Sequence, residues 1–326
     1  MSQIKLPEII LPIQQELESF NDKFKSSIKS KVGLVDLVTK YILKQKGKKI
    51  RPVLVLLSAG ISGGISDRSY RGAVLVEMLH TATLVHDDVV DAAETRRGLP
   101  SINAVWKNKV AVLIGDYLLS RGLMLAVDGN DFDFLRIVTD TVKRMSEGEL
   151  LQISKTRKLD IDEETYYEII SDKTASLIST CCEIGAKSAT QNEEQIQAMR
   201  SFGEALGIAF QIKDDILDYT GKTKILGKPL GGDIKEKKIT LPLIYSLKNV
   251  DKSEAKRIIN LIKSERKKGR IQEVIDFVLT NGGIEYAEKE AEKWISKAKE
   301  SLNTFAESQY KQSLTELVDF VVQRRN

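Results

Sequence analysis

The sequence predicts an all-α protein, with one domain over residues 1–326 and roughly ten or more helices. Prolines are scarce, and none lies between Pro100 and Pro229 or after Pro242, so long helices can run without that breaker. Period-2 alternation with hairpin turns is also scarce, which argues against a sheet. Near the end of the chain, an apolar stripe recurs at steps of three and four. The stripe comprises Ala287, Ala291, Trp294, Ile295, Ala298, Leu302 and Phe305.

Short polar or glycine-rich segments separate the helical runs, and none of them has the composition of a domain linker. These segments are residues 60–64, 128–131, 221–232 and 281–283. Two of the runs between them, residues 73–85 and 205–212, are apolar nearly all round, which is typical of buried helices. A chain of this length buries roughly three-quarters of the surface that its unfolded form exposes, which leaves room for a deep internal pocket.

Composition and charge exclude several classes of function. The net charge is only +4, with 50 Lys and Arg against 46 Asp and Glu, so we expect no nucleic-acid partner. The only two cysteines, Cys181 and Cys182, are adjacent and offer no disulfide framework, which fits a reducing compartment. The N-terminus lacks a leader pattern, and the longest charge-free stretch, residues 52–66, is too short to span a bilayer. We expect a cytoplasmic protein without a transmembrane segment.

One five-residue pattern, Asp-Asp-x-x-Asp, occurs twice. The two copies comprise Asp87, Asp88 and Asp91 in HDDVVD, and Asp214, Asp215 and Asp218 in KDDILD. Residues four apart share a helix face, so each copy places two carboxylates one turn apart. A solvated acidic face is the ordinary explanation for a single cluster of this kind. Here each cluster ends an apolar run, and burial of unpaired acids is costly.

A hard divalent cation would resolve that cost, and Mg²⁺ suits the pattern best. Mg²⁺ takes few carboxylates, keeps several waters and completes its octahedron with phosphate oxygens of a substrate. Two acidic helices that face each other across a cavity would bridge a diphosphate through metal ions.

Three basic segments could supply cations for phosphate groups, although each alone is more typical of a solvated surface. They are Gly47-Lys48-Lys49-Ile50-Arg51-Pro52, Arg96-Arg97-Gly98, and the stretch from Gly227-Lys228-Pro229 through Lys238-Ile239-Thr240-Leu241-Pro242. The last is not a Walker loop, because five residues separate Gly221 from Gly227 and Pro229 stands in place of Ser or Thr.

Both histidines, His80 and His86, precede the first acid cluster. Glu77 and His80 match the Glu-x-x-His element of a di-iron bundle, but the chain has no second copy. His86 followed by Asp87 is similar to an HD-type metal phosphohydrolase, which needs further histidines that the chain lacks. The sequence therefore disfavours both kinds of metal site.

Together these motifs resemble the trans-isoprenyl diphosphate synthases of the polyprenyl synthetase family, in particular the octaprenyl type. The resemblance covers about residues 45–245. It comprises GKxxRP, two acid clusters 127 positions apart, the Arg-Arg pair, Lys173-Thr174, FQIKDDILD, GKPLGGD and KKITLP, in order. One departure is Lys237, where the family usually has Gly, so we expect a differently shaped loop there.

The resemblance implies a role for each position that matches a family motif. Both acid clusters hold Mg²⁺ that bridges the allylic diphosphate, and their third acids, Asp91 and Asp218, can act through water. The oxygens of this diphosphate are contacted by Arg96, Lys173, Lys228 and Lys238. Isopentenyl diphosphate is held by Lys48, Arg51, His80 and Arg97. The remaining roles fall to Thr174 and Gln211, which direct oxygen dipoles toward the allylic cation.

The resemblance also implies the architecture, the cofactor and the partners. The fold is of the isoprenoid synthase type, with helices around a deep central cavity, and three Mg²⁺ ions act in each site. Ionisation of a C–O bond needs charge neutralisation on the leaving diphosphate more than it needs a side-chain base. In the family, the released diphosphate accepts the proton. A homodimer is usual, and peripheral membrane association for product release is compatible with the resemblance.

Two other classes of protein share part of this pattern. A terpene cyclase also ionises a diphosphate but does not need the second basic site that GKxxRP and Arg97 indicate. A non-catalytic subunit of a heteromeric synthase typically loses one acid cluster, and this chain keeps both. Among synthases, a short-chain enzyme that makes farnesyl or geranylgeranyl diphosphate stays an alternative to a medium- or long-chain one.

Helix geometry suggests where the product length is set. The growing chain would extend along the helix that ends at Asp87, and each helical turn rises 5.4 Å, close to one extended isoprene unit. One turn before the metal lie Ala82 and Thr83, which are both small, whereas relatives with short products often have an aromatic residue there. We therefore predict a product longer than twenty carbons, with a deeper floor formed by bulky residues such as Met124 or Leu125.

Overall fold

A computed structural model describes residues 5–45, 47–221, 230–264 and 269–322. Helices account for 81% of the structure, and its sheet is one pair of two-residue strands, so the all-α prediction is confirmed. The first half contains α1 (Leu6–Ile9), α2 (Gln14–Ser27), α3 (Gly33–Lys44), α4 (Ile50–Ile61), α5 (Asp67–Val90), β1 (Thr95–Arg96), β2 (Leu99–Pro100), α6 (Ile102–Asp128) and α7 (Phe132–Lys158).

The second half begins with α8 (Glu163–Ile170), which a π-helical turn, Ser171–Ala175, joins directly to the next helix. The helices that follow are α9 (Ser176–Lys187), α10 (Glu193–Thr220), α11 (Gly232–Lys235), α12 (Leu241–Lys248), α13 (Lys252–Lys263), α14 (Arg270–Thr280), α15 (Gly283–Ser301) and α16 (Gln309–Val322). Short 3₁₀ segments at Leu11–Ile13 and Leu302–Thr304 complete the described elements.

Apolar packing builds two core clusters that share long helices. The larger cluster unites α2 to α7, α9, α16 and the first part of α10, and the smaller one unites α8, α11 to α14 and the second part of α10. The helix α15 contributes to both clusters, and Trp294 packs against each of them. The continuity of α10 and α15 ties the clusters together, and the single domain over residues 1–326 stays a prediction.

Local sequence signals set the ends of the two helices that carry the acid clusters. The Ser66 backbone N–H donates to Ser69 Oγ at the start of α5, and the Asn192 side chain accepts from two backbone N–H groups at the start of α10. Such caps satisfy donors that have no partner within the first helical turn. Both helices then run for six or more turns, so each acid cluster lies at a carboxyl-terminal end.

One described helix, α6, has the length and apolar composition of a membrane span. Only 33% of its most apolar window is buried within the chain, because its buried residues face α5 along one side. One helix of this kind is weak evidence for a membrane segment, and the expectation of no transmembrane segment stays a prediction.

Candidate active site

The first acid cluster lies at the end of α5 and opens toward solvent. Asp87 and Asp91 are exposed, and the Asp91 backbone N–H donates to the Asp87 carbonyl at 2.8 Å, which keeps the two residues one helical turn apart. Partial desolvation raises the pKa of Asp87, and the carboxylates of Glu149 and Asp91 add to the rise against Lys173 and Arg96. The first cluster therefore places two carboxyl groups, one helical turn apart, at the surface of the protein.

Asp88 lies on another side of α5 and is anchored by a cation. Its carboxylate is buried and accepts from Arg96 Nε at 2.8 Å and from Arg96 Nη2. Arg96 reaches back because β1 and β2 form a hairpin whose two loop residues, Arg97 and Gly98, both have positive φ. Asp88, a predicted metal ligand, thus binds Arg96, which is predicted to contact the diphosphate.

The second acid cluster, at the end of α10, has three different environments. Asp214 is exposed. Asp215 is buried and accepts hydrogen bonds from the Tyr166 hydroxyl at 2.7 Å and from Gln211 Nε2 at 2.8 Å. Asp218 accepts from the backbone N–H groups of Gly232 and Asp233, both at 3.0 Å. Among the three acids of this cluster, only the first is exposed.

Burial shifts the ionisation of the second cluster strongly. Desolvation and the neighbouring Asp233 carboxylate raise the pKa of Asp215 to about 8, although Tyr166 and Gln211 donate hydrogen bonds that lower it. Desolvation and the charge of Asp218 raise the pKa of Asp233 to about 6, against the ammonium of Lys238. Burial and repulsion between neighbouring carboxylates therefore both act against ionisation of Asp215 and Asp233.

Two lysines connect the acid clusters. Lys173 forms an ion pair with Glu149 at 2.5 Å and donates to Gln152 Oε1 at 2.8 Å. Its charge lowers the pKa values of both Asp87 and Asp233, so its ammonium lies between the two clusters. Lys238 is paired with Glu236 at 2.6 Å.

Lys238 is in turn coupled to both clusters. Burial lowers its pKa, but the carboxylates of Glu236, Asp233 and Asp91 outweigh burial, and the pKa rises above its usual value. A lysine that senses Asp91 of the first cluster and Asp233 beside the second lies across the gap between them. The two clusters therefore face one space.

This space fits a hard divalent cation that a substrate helps to bind. The donors are carboxylate oxygens, which suit Mg²⁺. Among the described residues, no three His, Cys, Asp or Glu side chains converge closely enough to hold an ion alone. Open coordination positions are what Mg²⁺ uses when it binds through one or two carboxylates and completes its shell with water and phosphate. The donor set thus fits the predicted cofactor.

A cavity of about 210 Å³ lies beside the second cluster. Its wall includes Asp215 and Asp233 together with the predicted site residues Lys173, Thr174, Gln211 and Lys238. Thr174 Oγ1 donates to Gln211 Oε1 at 3.0 Å, and Gln211 Nε2 in turn donates to Asp215 Oδ1. We call this space the acidic cavity.

A second cavity, of about 200 Å³, gathers the predicted basic residues Lys48, Arg51, His80 and Arg97. Arg51 is partly buried, and no partner of its buried Nε atom is found in the described structure. Burial and the charges of Arg51 and Arg97 lower the pKa of His80 well below its usual value, so the imidazole is neutral. We call this space the basic cavity; Thr174 lines both cavities.

The guanidinium of Arg97 packs against the backbone at Gly47. A Cβ atom there would lie 2.5 Å from Arg97 Nη1, so a larger residue would require the Arg97 side chain to shift. The conformation explains why the GKxxRP segment and the Arg-Arg pair, about fifty residues apart in sequence, belong to one site.

The residues predicted to control product length occupy less uniform positions. Ala82 is buried in the core, whereas Thr83 is partly exposed and donates to the His80 carbonyl at 2.9 Å. Leu125 packs against the core, but Met124 is 47% exposed on the outer side of α6. Met124 therefore does not form a buried floor within its own chain.

Two predictions concern the loop after α10. Lys228 lies outside the described residues. Lys237, which replaces the usual glycine, has φ +60°, in the left-handed region that favours glycine. The lysine therefore occupies a backbone conformation that glycine adopts more readily, and the expected difference in loop shape stays a prediction.

Sequence reasoning missed four residues that contact the site. Asp233 belongs to the GGD segment, and its spacing after the second cluster is the signal that could have identified it. Tyr166 binds Asp215, while Glu149 and Gln152 bind Lys173. These three come from α7 and α8, and no motif in the sequence links them to the acid clusters.

The chain is similar to several known proteins. The polyprenyl synthetase family model matches residues 33–278. The all-trans-nonaprenyl-diphosphate synthase of Rhodobacter capsulatus, which is geranyl-diphosphate specific, is 36% identical over 97% of each chain. A polyprenyl synthase from Caulobacter crescentus, crystallised with calcium and isoprenyl diphosphate, superimposes with a TM-score of 0.91 at 31% identity over 100% of each chain.

A geranylgeranyl pyrophosphate synthase from Bacteroides thetaiotaomicron is also similar, with a TM-score of 0.82 and 38% identity over 97% of this chain and 98% of that one. Relatives with long and with shorter products therefore match this chain along nearly its whole length. The shared fold, the two facing acid clusters and the family match agree. The chain belongs to the polyprenyl synthetase family and is a prenyltransferase.

Proposed function

We propose that the protein condenses isopentenyl diphosphate with an allylic diphosphate and repeats this step to make a medium- or long-chain all-trans polyprenyl diphosphate. The observation that carries the proposal is the position of Thr174, which lines both the acidic and the basic cavity. One diphosphate can bind on each side of this residue, with the two reacting carbon chains meeting near it. A cyclase that takes one diphosphate has no use for the second, arginine-lined cavity.

The acidic cavity binds the allylic diphosphate in this proposal. Asp87, Asp91 and Asp214 are the exposed acids that would hold Mg²⁺, three ions in each site, while the protein's own donors anchor Asp88, Asp215 and Asp218. When bound, the metal neutralises charge on the diphosphate oxygens. Lys173 and Lys238 place positive charge beside the leaving diphosphate. Arg96 adds to this charge when its guanidinium binds Asp88 and the diphosphate at the same time.

The basic cavity binds isopentenyl diphosphate. Arg51 and Arg97 suit its oxygens because a guanidinium fork binds two of them at once, and Lys48 adds a point charge. His80 is neutral and donates one N–H. The hydroxyl of Thr174 and the amide oxygen of Gln211 stabilise the positive charge that develops on the allylic carbon. The released diphosphate takes the proton, so no side-chain base is required.

The two-cavity assignment is tested by kinetics with each substrate varied separately. Arg51→Ala should raise the Michaelis constant for isopentenyl diphosphate roughly tenfold or more, since a charge-assisted hydrogen bond contributes about 1.5–3 kcal/mol. The matched variant Lys238→Ala should affect the allylic substrate more. Equal effects of Arg51→Ala on both substrates would reject the assignment.

The product is longer than twenty carbons in this proposal, since Ala82 and Thr83 leave the first turn below Asp87 without a large side chain. Thr83→Phe or Ala82→Tyr should therefore shorten the main product by several isoprene units while condensation continues. The product profile of purified enzyme measures this. An unchanged profile in both variants would show that neither residue forms the gate.

A geranylgeranyl diphosphate synthase is the second candidate, and one contact favours it. Gly72 lies on α5 about 22 Å below Asp87, which is about four turns and about four isoprene units. There the fully buried Phe134 ring packs against Gly72, since a Cβ atom on this glycine would lie 3.3 Å from Phe134 Cε2. If the wild-type product has twenty carbons and Phe134→Ala lengthens it, Phe134 is the floor and this second function is correct.

Assembly and location belong to the same proposal. Large apolar side chains are exposed along α6 and α7, as expected for the interface of a homodimer. They are Val105, Val112, Leu113, Met124, Val127, Phe132, Leu150 and Ile153. Charged substitutions at Leu113 and Met124 should convert a dimer to a monomer in analytical ultracentrifugation, and a wild-type monomer would contradict the assembly.

A cytoplasmic enzyme is consistent with Cys181 and Cys182, which are free and buried. Release of a long prenyl product would bring the enzyme to a membrane surface. Co-sedimentation with vesicles that contain anionic lipid, measured before and after product formation, tests this association. Equal partitioning in both states would argue against release at a membrane.

A further inference from the structure

The π-helical turn Ser171–Ala175 presents two proposed site residues to the active site. Lys173 extends toward Glu149 and Gln152, and Thr174 donates to Gln211. A π-turn inserts one residue relative to an α-helix, which lets consecutive side chains point to different neighbours, and such turns are frequent at functional sites. The orientation of Lys173 and Thr174 therefore depends on what holds this turn.

The opposite side of the turn is bound by one arginine of α7. Arg144 Nε donates to Asp172 Oδ1 at 2.7 Å, and Arg144 Nη2 donates to Ser171 Oγ at 3.1 Å. Asp172 and Ser171 directly precede Lys173, so the guanidinium fixes the two residues that lead into the catalytic pair.

An acid of α10 completes the set of contacts. Glu204 Oε1 accepts from Ser171 Oγ at 2.8 Å and from Arg144 Nη2 at 3.4 Å. Ser176 Oγ, just after the turn, donates to the Asp172 carbonyl at 2.6 Å. These contacts join four residues in a network, which we call the anchoring network: Arg144, Asp172, Ser171 and Glu204. The side chains that form ion pairs in it, those of Arg144, Asp172 and Glu204, are each about a quarter to a third exposed.

Two glycines allow the turn to pack closely between α7 and α10. A Cβ atom on Gly148 of α7 would lie 3.0 Å from Asp172 Cβ and from the Lys173 nitrogen, and one on Gly207 of α10 would lie 2.5 Å from Ala175 Cα. The backbone of the turn therefore packs directly against α7 and α10. This close packing and the polar contacts of the anchoring network together hold the turn in its orientation.

We propose that Arg144 is a positioning residue for the reaction, which acts with Asp172 and Glu204 by orienting Lys173 and Thr174 toward the two substrates. This inference rests on the proposed function of Lys173 and Thr174. Neither cavity is lined by Arg144, Asp172 or Glu204. Arg144 lines a separate outer groove of about 750 Å³ together with Arg136, Lys143 and Arg200, so it acts through the turn.

The first test compares Arg144→Ala with Arg136→Ala. Both arginines lie on α7 and line the outer groove, but among the described residues only Arg144 donates to the turn. Arg144→Ala should lower kcat about tenfold to a hundredfold, as the loss of an orienting outer partner commonly does, with the Michaelis constant for isopentenyl diphosphate changed less than about twofold. Arg136→Ala should retain wild-type kinetics.

Chemical rescue separates positioning from a merely structural role. Millimolar guanidinium can enter the open groove and should restore part of the kcat of Arg144→Ala, with no effect on Arg136→Ala. Asp172→Asn, which keeps the shape of the side chain and removes the charge, provides a second variant if Arg144→Ala does not fold. It should show the same selective loss of kcat. Wild-type kcat in either network variant would overturn the proposal.

A double-variant comparison distinguishes this inference from the proposed function. If Arg144 acts through the turn, Arg144→Ala should cost little further activity in a Lys173→Ala, Thr174→Ala background. A full additional loss in that background would overturn the positioning role but leave the proposed function standing. If the double variant Lys173→Ala, Thr174→Ala had wild-type turnover, the proposed roles of this pair would be wrong, and the positioning role that rests on them would be wrong as well.

Discussion

The two acid clusters have the same five-residue pattern, yet their protein environments differ. In the first cluster, a cation anchors the middle acid, since Asp88 binds Arg96. In the second, neutral groups anchor the middle acid, since Asp215 accepts from Tyr166 and Gln211. In both, the first acid of the pattern is exposed.

The two copies of the pattern thus share one helical geometry but differ in the charge of the groups that bind the second acid. The helical spacing leaves the first acid exposed and buries the second in both copies. What meets the second acid depends on distant segments: a hairpin after α5 in one case, and α8 in the other. The clusters also differ at the third acid, because Asp91 is exposed while the Asp218 carboxylate accepts from the first two backbone N–H groups of α11.

The largest expected effect comes from removal of the first acid in either cluster. Asp87→Ala and Asp214→Ala should each lower kcat roughly a thousandfold or more, since each removes a metal ligand at the charge that develops on the leaving group. Thermal stability should stay the same or rise, because a repelling carboxylate is lost. Steady-state kinetics at saturating Mg²⁺ and thermal unfolding measure the two quantities.

Wild-type-like turnover in either of these variants would contradict the two-cluster assignment. Asp36→Ala is a suitable control, because Asp36 pairs with Lys40 within α3 and does not line either cavity. This variant should keep full activity.

An intermediate effect is expected when the middle acids lose their anchors. Arg96→Ala should lower the free energy of unfolding by about 3 kcal/mol, because it leaves the Asp88 carboxylate buried without its cation. Tyr166→Phe should lower it by about 1 kcal/mol, because it removes one of two donors to Asp215. Denaturant unfolding of both variants measures the difference. If Tyr166→Phe proved the more damaging, the distinction between a charged and a neutral anchor would be wrong.

The smallest effect is expected in the loop that carries Lys238 to the second cluster. Lys237→Gly should raise the free energy of unfolding by about 1 kcal/mol, because glycine has no Cβ atom to clash at φ +60°. Lys235→Gly is the contrasting control, since Lys235 ends α11 and its replacement should not stabilise the protein. Chemical unfolding of each variant gives the comparison, and a loss of stability in Lys237→Gly would contradict the explanation.

The sequence predicted the elements that depend on local patterns. Proline spacing and apolar periodicity predicted long helices, and the all-α fold is confirmed. The spacing of the acids predicted which residues share a helix face, and the structure places Asp87 with Asp91 one turn apart. Each of these predictions needs only the geometry of one helix.

The parts that the sequence did not predict depend on packing between distant segments. The bond of Arg96 to Asp88 requires the hairpin to fold back, and the bond of Tyr166 to Asp215 requires α8 to lie beside α10. The sequence named Met124 and Leu125 as examples of bulky floor residues, and in the structure Met124 is exposed on α6 while Leu125 packs against the core. Periodicity alone does not fix the phase of α6 relative to α5.

Release of inorganic diphosphate tests the central claim most directly, namely that the two acid clusters and the basic cavity serve one reaction of two substrates. Purified enzyme is given isopentenyl diphosphate and farnesyl diphosphate, together and singly, with and without Mg²⁺. The account predicts rapid release only when both organic substrates and the metal are present, and its loss in Asp87→Ala and Asp214→Ala. Comparable release from farnesyl diphosphate alone, or without a divalent metal, would contradict it.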